Sequence, residues 1–132
     1  MMRSRTITVG IACGAGWAYD YLRDPRNLPA WAPGLCTSIE RVGDEWIAAT
    51  AQGPVAVRFV ERNPFGVLDH HVRVSPGVEF LNPMRVVPNG DGCELMFTLF
   101  QAPDVTDEQF EADAALVTAD LHRARTILES RG

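Results

Sequence analysis

Lysine is absent from the chain: all twelve basic residues are arginine. That usage follows from GC-rich coding rather than from a physical demand. The arginines form no block, and 17 acidic residues bring the formal net charge to −5. Nucleic-acid binding needs a concentrated positive surface, so that class is excluded. Cysteine is scarce and scattered, with Cys13, Cys36 and Cys93 forming no CxxC pair. An odd set of this kind excludes a disulfide framework and suits a reducing cytoplasm, each thiol reading as a small buried apolar group. No apolar run reaches bilayer length, which excludes membrane insertion.

Catalytic and cofactor motifs are also missing. The four serines have no GxSxG around them, and no HExxH is present. His70 and His71 are neighbours on a strand, so they point to opposite faces and cannot share a metal. His122 falls off the apolar stripe of its helix, so no metal site is expected. Cys13-Gly14-Ala15-Gly16 sits between a strand and a helix, as a dinucleotide loop would. Tyr19 holds the third glycine position and no lysine follows, so no cofactor is expected.

What is present is a globular composition, 46% apolar and 22% charged over 132 residues. It fits a single domain spanning 1–132. Arg3 and Arg5 before an uncharged stretch imitate a secretory leader. Ile7, Val9 and Ile11, however, alternate with Thr6, Thr8 and Gly10, which is strand period. The first strand is expected over Ser4 to Ala12. Two short helices follow, near Ala15–Arg23 and Asn27–Ala32, separated at Asp24-Pro25 because a residue before proline avoids the helical region.

Turn chemistry then recurs at Gly43-Asp44, Gln52-Gly53, Asn63-Pro64-Phe65-Gly66, Ser75-Pro76-Gly77 and Asn89-Gly90-Asp91-Gly92. Such short links make antiparallel neighbours, so six strands follow as a meander. The last segment is a helix, Thr106–Ser130. Thr106 and Gln109 form a capping box, with Val105 and Phe110 at the staple positions. Phe110, Ala114, Val117, Leu121, Ala124 and Leu128 make one apolar stripe. Acidic residues crowd its start and arginines its end, as the helix dipole favours.

The turns fix a register. Phe59 falls opposite His70, Val57 opposite Val72, Asn82 opposite His70, and Phe80 opposite Val72. Met84 falls opposite Phe97, Asn82 opposite Leu99, and Trp46 beside Phe59. In this register apolar faces coincide and most charges point outward. One inner row therefore reads Trp46, Phe59, His70, Asn82, Leu99. A histidine beside an asparagine on an apolar wall has two readings: a core histidine satisfied by a neighbouring amide, or a pair that orients a ligand. Trp31, on the second short helix, is placed to close the mouth of such a pocket.

This element order resembles the START-like (SRPBCC) superfamily of Bet v 1 relatives, polyketide cyclases and lipid-transfer domains. The specific echoes are Ala18-Tyr19-Asp20-Tyr21-Leu22-Arg23-Asp24-Pro25, the run from Asp24 to Trp31, and the helix over Thr106–Leu128. The resemblance implies an α+β helix-grip fold, a seven-stranded curved antiparallel sheet around the C-terminal helix. It also implies a small, mostly hydrophobic ligand held between them. It carries over no catalytic residue.

The residues expected to line that cavity are Trp31, Trp46, Phe59, His70, Asn82, Met84, Phe97, Val117 and Leu121. A binding module for a small apolar or aromatic ligand is the primary expectation, with a homodimer left open. Two rival readings remain. One is a cyclase or dehydratase in which His70 transfers protons, since its ordinary pKa near 6.5 suits that work. The other is an interaction domain with a filled core.

Overall fold

The computed structural model describes residues 1–131. The chain runs β1 (Ser4–Ile11), α1 (Ala15–Arg23), a 3₁₀ turn (Pro25–Asn27), α2 (Leu28–Trp31), then β2 (Ser38–Val42) and β3 (Glu45–Thr50). It continues through β4 (Gly53–Phe59), β5 (His70–Ser75), β6 (Val78–Asn82), β7 (Met84–Asn89) and β8 (Gly92–Phe100), and ends in α3 (Asp107–Arg131). This is the α+β helix-grip arrangement, with α3 lying on the inner face of curved antiparallel sheets. Among the described residues no helix is long and apolar enough to cross a membrane.

The strand count is eight rather than the expected seven. The strands form two sheets, β1-β8-β7 and β2-β3-β4-β5-β6. The cause is Pro83, which interrupts what the turn spacing presents as one strand. Proline has no N–H to give to a ladder. Its carbonyl still accepts from the Thr98 N–H at 2.9 Å, while the Met84 N–H goes to Asp69 Oδ1 at 2.9 Å. The chain thus turns a corner between the sheets with its backbone groups satisfied.

The sheets stay joined through the segment before β5. The Leu68 N–H bonds to the Met84 carbonyl at 2.8 Å, and the Val86 N–H bonds to Gly66 at 2.9 Å. Gly66 is indispensable there. Its φ is +72°, and a Cβ on it would stand 2.1 Å from the Val86 carbonyl oxygen. Asn63 shapes the same loop. Its Oδ1 accepts from the Phe65 and Val67 N–H groups at 3.0 and 3.1 Å, and its own N–H bonds to Tyr19 Oη at 2.9 Å.

Most of the expected register is present. Phe59 pairs with His70, Val57 with Val72, Asn82 with His70, Phe80 with Val72, and Met84 with Phe97. Two expected neighbours are not paired: Asn82 does not pair with Leu99, because the break at Pro83 leaves β6 and β8 in different sheets, and Trp46 pairs with Val57 and not with Phe59. The hairpin closes at Thr50–Gly53, two residues earlier along the pair than Gln52-Gly53 would set it. Thr50 Oγ1 fixes that turn by bonding to the Gly53 carbonyl at 2.6 Å and accepting from the Gln52 N–H at 3.2 Å. A slip of two preserves the face of every side chain and moves Trp46 along the sheet.

Half of the expected capping box forms at α3. The Gln109 N–H bonds to Thr106 Oγ1 at 3.1 Å, but the Gln109 side chain turns forward to Asp113 Oδ1 at 2.8 Å. Just before β1, Arg3 bonds to Glu111 at 2.9 Å and its guanidinium lies 4.8 Å from the Phe110 ring centroid. These contacts tie the start of the helix to the first strand.

Candidate functional site

The interior is not filled. A cavity of about 180 Å³ lies between the sheet, α2 and the first half of α3. The sheet supplies His70, Asn82, Phe97 and Leu99; α2 and the loop after it supply Leu28, Trp31, Ala32, Gly34 and Leu35. The helix supplies Asp113, Leu116, Val117, Asp120 and Leu121. Of these, Gly34 and Leu116 are exposed and form the rim.

Six of the nine residues expected around a cavity line this one: Trp31, His70, Asn82, Phe97, Val117 and Leu121. Phe59, Met84 and Trp46 do not. Phe59 packs against His70, ring centroids 4.9 Å apart, and braces it from the side. Met84 is buried in the core opposite Phe97. Trp46, displaced by the two-residue slip, stands with Asp24, Arg26 and Arg41 beside the 3₁₀ turn. Trp31 is a wall and not a lid, since only 3% of it is exposed.

His70 is the central polar group. It is buried between Phe59 and Phe97, the latter ring centroid at 5.9 Å. Its Nδ1 lies 3.1 Å from the Leu68 carbonyl oxygen. A carbonyl only accepts, so Nδ1 carries the proton and Nε2 of the neutral ring presents a lone pair. Burial pushes the His70 pKa below its ordinary value, against the smaller opposing pull of the Leu68 carbonyl and Asp69. Asp69 is occupied at the sheet corner, as described above, and does not orient the ring. The neighbouring amide of Asn82 does not satisfy His70, whose hydrogen bond runs to the backbone.

Two further groups shape the cavity. Trp31 Nε1–H is buried with no hydrogen-bond partner, a state that costs about 1–3 kcal/mol when nothing else pairs the donor. Asp120 is buried too, and its Oδ1 accepts from the Gly34 N–H at 3.1 Å. Burial raises its pKa, while the Gly34 N–H and Arg123 pull it down. Gly34 permits this contact, because a Cβ there would stand 2.8 Å from Asp120 Oδ2.

Sequence reasoning passed over Asp113 and Asp120. Both fall in a helix whose charges read as dipole pairing. The available signal was position: Asp113, Val117 and Asp120 recur at spacings of four and three, along the edge of the apolar stripe. The three thiols are buried and free. Cys93 is pushed up to about 11 by burial with Cys13 beside it, a setting of low reactivity. No cluster of three metal-ligating side chains occurs among the described residues.

The sequence pattern of the family described as polyketide cyclase / dehydrase and lipid transport matches residues 2–131. The chain belongs to that family. Solved structures agree on the fold. The protein XoxI from Bacillus cereus superposes with a TM-score of 0.76 at 15% identity, covering 96% of each chain. Zhui aromatase/cyclase from a Streptomyces species gives 0.72 at 16% identity, covering 99% of this chain and 96% of its own. A START superfamily protein from Mycobacterium smegmatis gives 0.68 at 18% identity, covering 98% and 99%. No curated protein matches the chain in sequence. Identities this low carry the START-like fold and no activity.

Proposed function

We propose that this protein binds a small apolar or aromatic molecule in the cavity under α3 and does not transform it. The observation that carries this reading is the cavity's construction. Its walls are aliphatic and aromatic, and hydrogen-bonding capacity is confined to His70, Asn82, Trp31 and two aspartates. A few placed polar groups on apolar walls are what small-molecule sites present. At about 180 Å³ the space suits one ring with a short side chain, since a cavity of roughly 150 Å³ accepts benzene. The family's description as cyclase/dehydrase and lipid transport supports a cavity that holds a hydrophobic molecule.

A second reading, cyclase or dehydratase chemistry, is favoured by one feature. The Nε2 lone pair of His70 belongs to a residue on the cavity wall, and folding a substrate into reactive geometry can itself supply much of the rate. Against it, the depressed pKa makes His70 a weak base, and no charged group orients the ring. His70→Ala separates the two. Under the binding reading it shifts ligand affinity and no candidate substrate is turned over by the parent protein. Turnover that disappears in His70→Ala, with affinity kept, would establish the enzyme. Native mass spectrometry of freshly purified protein identifies a carried-over ligand directly. It also reports self-association through the exposed apolar face at Val74, Val78 and Phe80. Buried free thiols fit residence in a reducing compartment such as the cytoplasm.

A further inference from the structure

Two buried residues of the cavity wall keep unused hydrogen-bonding capacity, and the two are opposite in kind. Trp31 lines the cavity and is 3% exposed. Among the described residues nothing accepts from its Nε1–H. Buried donors in folded proteins are normally paired, and an indole N–H can only donate. His70, on the sheet side of the same cavity, commits its Nδ1–H to the Leu68 carbonyl. The Nε2 of its neutral ring can therefore only accept.

The charged residues of the lining do not call for an ion. No arginine lines the cavity, so an anion would enter without a counter-charge. Both aspartates are already engaged. Asp113 accepts from the Gln109 amide, and Asp120 accepts from the Gly34 N–H in the field of Arg123. A neutral molecule suits these surroundings. What it must offer is an acceptor for Trp31 and a donor for His70.

We propose that the ligand is a small neutral aromatic ketone or aldehyde bearing a hydroxyl group. Its carbonyl oxygen accepts from Trp31 Nε1–H, and its hydroxyl donates to His70 Nε2. This rests on the binding reading above and adds the ligand's polar pattern to it. Trp31 then separates a carbonyl compound from a hydrocarbon of the same shape.

The test titrates 4-hydroxyacetophenone, acetophenone and ethylbenzene into the full chain and follows the indole N–H signals by NMR. Trp17, Trp31 and Trp46 give three such signals, and Trp31→Phe identifies one of them. Both ketones should move the Trp31 signal downfield, and ethylbenzene should not. In Trp31→Phe the affinity of acetophenone relative to ethylbenzene should fall on the order of tenfold, the worth of one hydrogen bond. 4-Hydroxyacetophenone should bind tighter than acetophenone to the parent protein, and the absence of that gain overturns the hydroxyl's place at His70. If Trp31→Phe does not fold, the Trp31 signal is assigned through its own backbone and its shift decides. A Trp31 signal indifferent to the carbonyl, or an affinity ratio unchanged in the variant, overturns the carbonyl's place and leaves small-molecule binding standing. A bound water on the same donor would give that result. Binding of none of the probes overturns both readings.

Discussion

The two halves of α3 rest on the same curved surface and meet it differently. Towards the C-terminus, Ala124 and Leu128 are fully buried in one layer with Val9, Ile11, Cys93 and Leu95 from β1 and β8 and with Ala18 and Leu22 of α1. Towards the N-terminus, Asp113, Leu116 and Val117 face a void. Opposite them the sheet carries His70 and Asn82 in place of aliphatics, and α2 spans only four residues. Beyond the cavity, Val78, Phe80 and Leu81 of the edge strand β6 are each more than 40% exposed. Tight packing is therefore concentrated at one end of the molecule, and the open cavity lies at the other. The apolar stripe of the helix is continuous, so it is the sheet and α2, not the helix, that decide where space is left.

The largest effect should come from the junction of the two halves. Gly66→Ala forces a side chain into a left-handed backbone and against the Val86 carbonyl. The expected cost exceeds about 3 kcal/mol, visible as a collapse of the thermal transition or of soluble yield. A variant that melts like the parent would show that the sheets do not depend on this contact.

Next comes a paired truncation along α3. Leu128→Ala, in the filled half, should cost about 2–5 kcal/mol. Leu116→Ala, at the rim and 49% exposed, should stay within about 0.5 kcal/mol of the parent. Urea unfolding of both variants measures the contrast, and equal losses would break it.

The smallest effect is electrostatic and belongs to the cavity half. Burial holds the folded pKa of His70 below the unfolded value near 6.5. The unfolded chain therefore takes up the proton first as pH falls. Stability is fully present above pH 6.5 and declines below it, by at most about 1.4 kcal/mol per pH unit from this one group. His70→Gln should flatten that decline between pH 6.5 and 5.5 in urea titrations. An unchanged slope would mean the histidine is not held neutral by burial.

Much of this was legible in the sequence because the turns are chemically explicit. Ser75-Pro76-Gly77 and Asn89-Gly90-Asp91-Gly92 by themselves specify the pairing of His70 with Asn82 and of Met84 with Phe97. Trp46 slipped because a threonine side chain, and not the glycine, sets where its hairpin closes. The eighth strand was hidden because a lone proline within an apolar run reads as an interruption only when the sheet bends there. Asp120 was illegible for another reason. Its burial depends on Gly34, 86 residues earlier, coming close enough to leave no room for a Cβ. No local pattern encodes that approach.

The pairing of β1 with β8 sets an order on how the chain matures. Ser4 has Phe100 as its partner, and Ile11 has Cys93. Strands β2 to β6 are joined by short local connections and can zip as soon as they are made, whereas β1 must wait for a partner about ninety residues downstream. Closing a loop of that span is entropically slow compared with closing a hairpin. During synthesis, β1 is made before the rest of this fold and is thus among the last of its strands to be seated. Ile7, Val9 and Ile11 stay solvent-accessible through most of synthesis, and the threonines alternating with them keep that interval from presenting a continuous greasy segment to neighbouring chains.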